Sequence, residues 1–215
     1  MKRLGLFGGT FDPPHNGHLH IATAFANELN LENVIFIPAG NPYHKKHVLQ
    51  TSAQQRLAMV ERTITVDSRF AVSDIDVVRL GATHTFDTVT IFQKLFPHVQ
   101  LWWLMGMDSL LTIHTWYRYE NLLETVNLAI AMRPETSLFQ LPLYLQHWLA
   151  VALDKMQQQP EGLDGGRVCL LQAEAVNINS TLLRAEWRTG HRNIVRAQIP
   201  ASVADYIDQE QLYQA

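Results

Sequence analysis

Apolar residues follow two rhythms along the chain. Runs with little polar interruption occur at 3–7, 34–38, 70–75, 99–104, 126–132 and 168–172. Short, continuous and β-rich, they predict strands covered on both faces. Between them, apolar positions three and four apart predict helices at 17–29, 52–65, 85–96, 109–113, 117–124, 143–156, 181–188 and 201–209. Strand and helix alternate, so the pattern predicts an α/β fold: a doubly wound, Rossmann-like parallel sheet of about six strands with helices on both faces. Ligands of such sheets sit beyond the carboxyl ends of the strands, which makes the loops after the strands the place to look for chemistry.

Length sharpens this picture a little. The 215 residues suffice for one sizeable domain, 1–215, with a helix-rich insertion near 138–160 whose Leu, Tyr and Trp residues are expected to pack on the sheet. The polar patch MQQQPEGLDGG at 156–166 is the only stretch with linker composition.

Charge and cysteine usage mainly exclude. With 17 Lys+Arg against 20 Asp+Glu the net charge is -3, so no basic field exists to hold nucleic acid, while a small anion gripped by local groups remains compatible. The single cysteine, Cys169, lies in an apolar run, rules out an internal disulfide framework and fits a reducing compartment. The start MKRLGLF imitates a signal peptide but is cut short by Gly8, Gly9 and Asp12. No run approaches the roughly 20 apolar residues of a membrane span, and a cytoplasmic protein is expected.

Four loops carry candidate chemistry. After the first strand comes GGTFDPPHNGH, from Gly8 to His18. Gly8 and Gly9 allow close approach of a backbone to a ligand, Pro13 and Pro14 stiffen the path, and a helix starting at Asn16 or Gly17 offers free N–H groups to an anion. His15 and His18 can both reach one bound group and hydrogen-bond phosphoryl oxygens. The string is neither a GxxxxGK[ST] P-loop nor GxGxxG. A zinc site of His15, His18 and His20 is the competing reading; it lacks a Cys or carboxylate partner, and His20 falls out of line on the helix.

GGTFDPPHNGH resembles the HxGH signature of the nucleotidyltransferase α/β phosphodiesterase superfamily, whose members join a nucleoside monophosphate to a phosphorylated acceptor and release pyrophosphate. NINSTLLR, from Asn177 to Arg184, resembles its second signature, ISSTxIR, and keeps Ile178, Ser180, Thr181 and Arg184; Asn179 and Leu183 replace the usual Ser and Ile. The residues agree with that reading, since Ser180 or Thr181 can open a helix toward a triphosphate and Arg184 lies one turn on. GMDSLLTIHTWY, from Gly106 to Tyr117, resembles the GxDS and TWY segments of nicotinate-mononucleotide adenylyltransferases.

That resemblance implies adenylylation of nicotinate mononucleotide by ATP, giving deamido-NAD and pyrophosphate in NAD biosynthesis, with nicotinamide mononucleotide or pantetheine phosphate as alternative acceptors. It implies His15, His18 and Arg184 as catalytic residues, and Gly8, Gly9, Thr10, Phe11, Gly106, Asp108, Arg133, Ile178, Ser180 and Thr181 as the ATP site. His44, Lys45, Thr85, Trp116 and Tyr117 are implied for the mononucleotide, with the Trp stacked on the pyridine ring and Thr85 at a helix start. The histidine and lysines of PAGNPYHKKH resemble the family's PxxPHK segment, and either Lys45 or Lys46 could face the phosphate. Mg²⁺ is expected to arrive with ATP through phosphate and water oxygens, because no carboxylate cluster offers a protein cage.

Overall fold

A computed structural model of the chain describes residues 1–41, 50–132, 137–173 and 176–214. In chain order the elements are β1 (Arg3–Gly9), α1 (Asn16–Glu28), β2 (Asn33–Pro38), α2 (Ala53–Thr63), β3 (Phe70–Val72), α3 (Ile75–Val78), α4 (Thr85–Leu95), β4 (Gln100–Gly106), α5 (Met107–Leu111), α6 (Tyr119–Thr125), β5 (Asn127–Ala131), α7 (Leu143–Gln158), β6 (Val168–Leu170), α8 (Ser180–Arg188), α9 (Arg192–Arg196) and α10 (Ala201–Gln209). The six strands form one sheet in the order β3-β2-β1-β4-β5-β6, and β1 with β4, β4 with β5 and β5 with β6 run parallel. That order reverses direction between β1 and β4, the point at which doubly wound sheets bind their ligands. Phe7 of β1 is in register with Leu104 of β4.

Contacts gather the chain into two compact units, Met1–Gly8 with Ile21–Val34 and His84–Ala175, and Gly9–His20 with Ile35–Thr83 and Val176–Ala215. The first is built on the continuous apolar strands: Leu6, Trp102, Leu104, Leu128, Ile130 and Val168 are fully buried. Its α7 turns Leu145, Leu149 and Ala152 inward and leaves Leu143, Tyr144 and Val151 exposed, so the predicted insertion packs by one stripe. The second unit has its own core, in which Met59 of α2, Trp187 of α8, Val203 and Ile207 of α10 and Tyr213 meet.

One local expectation is corrected. The third strand stops at Val72, and Ile75, expected at its end, opens α3, because Asp74 and Ser73 break the apolar run with turn-forming side chains. Thr85 is the first residue of its helix, as expected, and His84 holds the cap position with extended backbone. The single turn α9 has no counterpart in the predicted elements.

Candidate active site

The second unit holds the His-containing turn from Gly9 onward and the segment from Ile178 to Arg184. α1 begins at Asn16, so His15 stands just before it and His18 in its first turn. Their rings stack with centroids 3.6 Å apart and planes 30° from parallel. The backbone N–H of His15 donates to Nδ1 of His18 at 3.1 Å. A nitrogen that accepts carries no proton, so the neutral His18 ring keeps its hydrogen on Nε2, a donor at the far side of the ring. Gly17 is what lets the stack form: a Cβ there would lie 3.0 Å from Nδ1 of His15. His20 is exposed on α1, apart from this pair, as the helical spacing implies.

The turn that leads to His15 is held from outside by its carbonyls. Arg56 of α2, fully buried, donates from Nη1 to the Thr10 carbonyl at 3.0 Å and from Nη2 to the Gly40 carbonyl at 2.9 Å. Burial pulls its guanidinium below the usual arginine value, and the charge of Asp12 opposes that shift. Arg184, 6% exposed, donates from Nη1 to the Asp12 carbonyl at 2.7 Å and from Nη2 to Thr181 Oγ1 at 3.3 Å. Ser180 Oγ donates to the Pro13 carbonyl at 3.0 Å. With the carbonyls of residues 10, 12 and 13 occupied in this way, the segment is fixed without help from regular secondary structure.

Asp12 itself is buried, and its carboxylate is met by three donors. Oδ1 accepts from Thr51 Oγ1 and from the Tyr213 hydroxyl, each at 2.7 Å, and Oδ2 accepts from the Gln50 N–H at 3.2 Å. Phe11, beside it, has a left-handed backbone with φ of 53°, which costs on the order of 1 kcal/mol, and sets its buried ring edge-on to His18 at 5.0 Å.

The glycines after β1 have packing reasons. A side chain at Gly8 would collide with the Trp103 indole, and a Cβ at Gly9 would lie 2.6 Å from the Phe11 ring. In the Cβ direction both glycines therefore face aromatic rings. Ile178 belongs to the core of its unit. α8 opens at Ser180, capped by Asn179, whose Oδ1 accepts from the Thr181 N–H at 2.8 Å and the Leu182 N–H at 3.4 Å. The mild replacement of Ser by Asn thus keeps the cap.

The first unit carries the other predicted residues. Gly106 precedes α5, and a Cβ built there meets nothing within 4 Å, so this glycine keeps open space rather than making room for a neighbour. Asp108 is exposed in the first turn of α5. Trp116 is half-buried, whereas Trp102 and Trp103 are core residues. Tyr117, 47% exposed, lies 4.6 Å from the His84 ring, and the Arg118 guanidinium covers the Phe86 ring at 5.2 Å and the Tyr117 ring at 5.8 Å. His44, Lys45, Lys46 and Arg133 lie outside the described residues. Among the described residues no three His, Cys, Asp or Glu side chains gather as a metal cluster, and no helix is long and apolar enough to cross a membrane.

Arg56, Thr51 and Tyr213 were not singled out by sequence, and Asp12 and Gly17 only as a break in an apolar run and a helix start. For Arg56 a signal existed: the buried stripe of α2 is Arg56, Met59, Val60 and Thr63, an i, i+3, i+4, i+7 pattern with a charge at its first position. A guanidinium on a core stripe announces a buried partner.

The chain belongs to the cytidylyltransferase-like family, whose sequence pattern matches residues 6–186. Within that family it falls with the nicotinate-nucleotide adenylyltransferases. It is 50% identical over 218 residues, 100% of both chains, to a probable nicotinate-nucleotide adenylyltransferase of Neisseria meningitidis serogroup C, and equally to one of Neisseria gonorrhoeae. In fold it is similar to the nicotinic acid mononucleotide adenylyltransferase of Plasmodium falciparum complexed with NaAD, with a TM-score of 0.74 at 18% identity, covering 99% of this chain and 98% of that one.

Proposed function

We propose that the chain transfers the adenylyl group of ATP to the phosphate of nicotinate mononucleotide, releasing pyrophosphate and forming nicotinate adenine dinucleotide. The names of its full-length relatives support the substrate. The single observation that carries the reaction type is the stacked His15–His18 pair with its fixed Nε2 donor.

An oxygen of the acceptor phosphate attacks the α-phosphorus, a new P–O bond forms, and the bond from the α-phosphorus to the bridging oxygen breaks with its electrons leaving on pyrophosphate. The acceptor is largely ionised near neutral pH, so no general base is needed. His18 donates from Nε2 to an α-phosphoryl oxygen, where charge shifts as the bond breaks, and His15 backs it or holds the β-phosphate. Arg184 and the start of α8 hold the outer phosphates; in the present arrangement Arg184 donates to the Asp12 carbonyl, and its Nε has no partner among the described residues. Mg²⁺ enters with ATP, bound by phosphate oxygens. Gly106 and Asp108 serve the adenosine, Thr85, Trp116 and Tyr117 the pyridine end, and His44, Lys45 and Arg133 the phosphates.

The test is an assay of purified protein with MgATP and either nicotinate or nicotinamide mononucleotide, with pantetheine phosphate as a third acceptor. Pyrophosphate and dinucleotide should form in equal amounts, fastest with the nicotinate acceptor. Pyrophosphate release with another acceptor and none with nicotinate mononucleotide would sink the substrate assignment.

A further inference from the structure

Resting on that reading, we propose that Tyr213 is a positioning residue for the transfer, setting the height of the His15–His18 pair through the carboxylate of Asp12. Tyr213 stands 201 positions from Asp12 in the chain, yet its hydroxyl donates to Oδ1 of Asp12 at 2.7 Å, with both groups buried. Burial and the negative charge of Asp12 push the hydroxyl's proton affinity up, which keeps it a donor. The ring packs in the core of its unit, and its backbone is left-handed, with φ of 58°. A tyrosine rarely adopts that conformation, and it persists where surrounding contacts over-determine it.

Asp12 is joined to His15 by Pro13 and Pro14 alone. Each proline fixes one of its two soft backbone angles, so the link from Asp12 to His15 is a stiff arm. A shift of the carboxylate that displaces the Asp12 backbone is carried along this arm toward the imidazole, against the hold of Arg184 and Ser180 on the Asp12 and Pro13 carbonyls. Thr51 shares the same oxygen, at 2.7 Å, and sets the other side of the same support. The predicted signature is a loss of alignment with substrate binding retained, because a phosphorus and a donor misplaced by a fraction of an ångström react slowly while still bound.

Tyr213→Phe removes one oxygen and keeps the ring. It should lower kcat for adenylyl transfer by about tenfold, leave KM for ATP and for nicotinate mononucleotide within about twofold, and shift the long-range imidazole ¹⁵N resonances of His15 and His18. Thr51→Val, which acts on the same oxygen from another element, should give the same split and serves if the tyrosine variant does not fold. Tyr206→Phe, whose ring lies under Arg62 in the same unit, should change none of these. A reduced melting temperature with kcat unchanged would assign Tyr213 to stability alone and overturn the proposal. Imidazole spectra of Tyr213→Phe that superpose on those of the wild type overturn it as well, even for a chain inactive toward nicotinate mononucleotide. Such inactivity in the wild type would count against the substrate assignment separately.

Discussion

His18 accepts a hydrogen bond at Nδ1 from the backbone of His15, the residue whose ring it also stacks on. One contact thus selects the tautomer and the other the plane of the ring, and together they aim Nε2. His18→Ala should lower kcat by about 10²- to 10³-fold with an unchanged circular dichroism spectrum, the usual loss when a donor to developing charge is removed. His18→Gln, which places an amide near Nε2, should recover part of the loss in the same steady-state assay.

Gly17→Ala and Gly106→Ala form a matched pair. At Gly17 the added carbon sits 3.0 Å from the His15 ring and must displace it, so kcat should fall about tenfold while the urea midpoint barely moves. At Gly106 the space is empty and φ is -85°, so stability should be unchanged or higher by about 0.5 kcal/mol. The cost there should appear in KM for ATP.

Arg56→Lys replaces a fork that reaches two carbonyls with a single ammonium that can serve one. A part-buried carbonyl of Thr10 or Gly40 loses this donor, and urea unfolding should show a loss of about 1–2 kcal/mol. Comparing kcat per folded molecule then separates this loss from any effect on the turn.

Alkaline pH should expose the Tyr213 bond. Its hydroxyl titrates higher in the folded than in the unfolded chain, so the stability it supplies is complete below the unfolded value of about 10 and declines as pH rises beyond it. Tyr213→Phe should flatten that decline, read as the difference between the two proteins' denaturation midpoints from pH 9 upward.

The sequence disclosed what repeats locally. Helix α10 spans the predicted 201–209, and α7 runs two residues past its predicted end, because their apolar stripes continue for two or more turns. The single turn α9 buries only Val195 and so offers no period to read. His15, His18, Ser180 and Arg184 were legible as motif letters, but their arrangement was not. Ser180 and Arg184 reach the carbonyls of Pro13 and Asp12 across more than 160 positions, and no local pattern encodes such a pairing. Gly8 and Gly9 show a further limit, since the sequence does not reveal that Trp103 and Phe11 lie where their side chains would be.

The carbonyls of Thr10, Asp12 and Pro13 are gripped by Arg56, Arg184 and Ser180, and the Asp12 carboxylate by Tyr213. During synthesis, residues 10–13 leave the ribosome long before three of those four partners have been translated. The stretch most characteristic of the chain is made well before Ser180, Arg184 and Tyr213, and its anchoring is complete only with the last of them. A nascent chain stalled before residue 180 would carry the signature letters without the shape that gives them meaning.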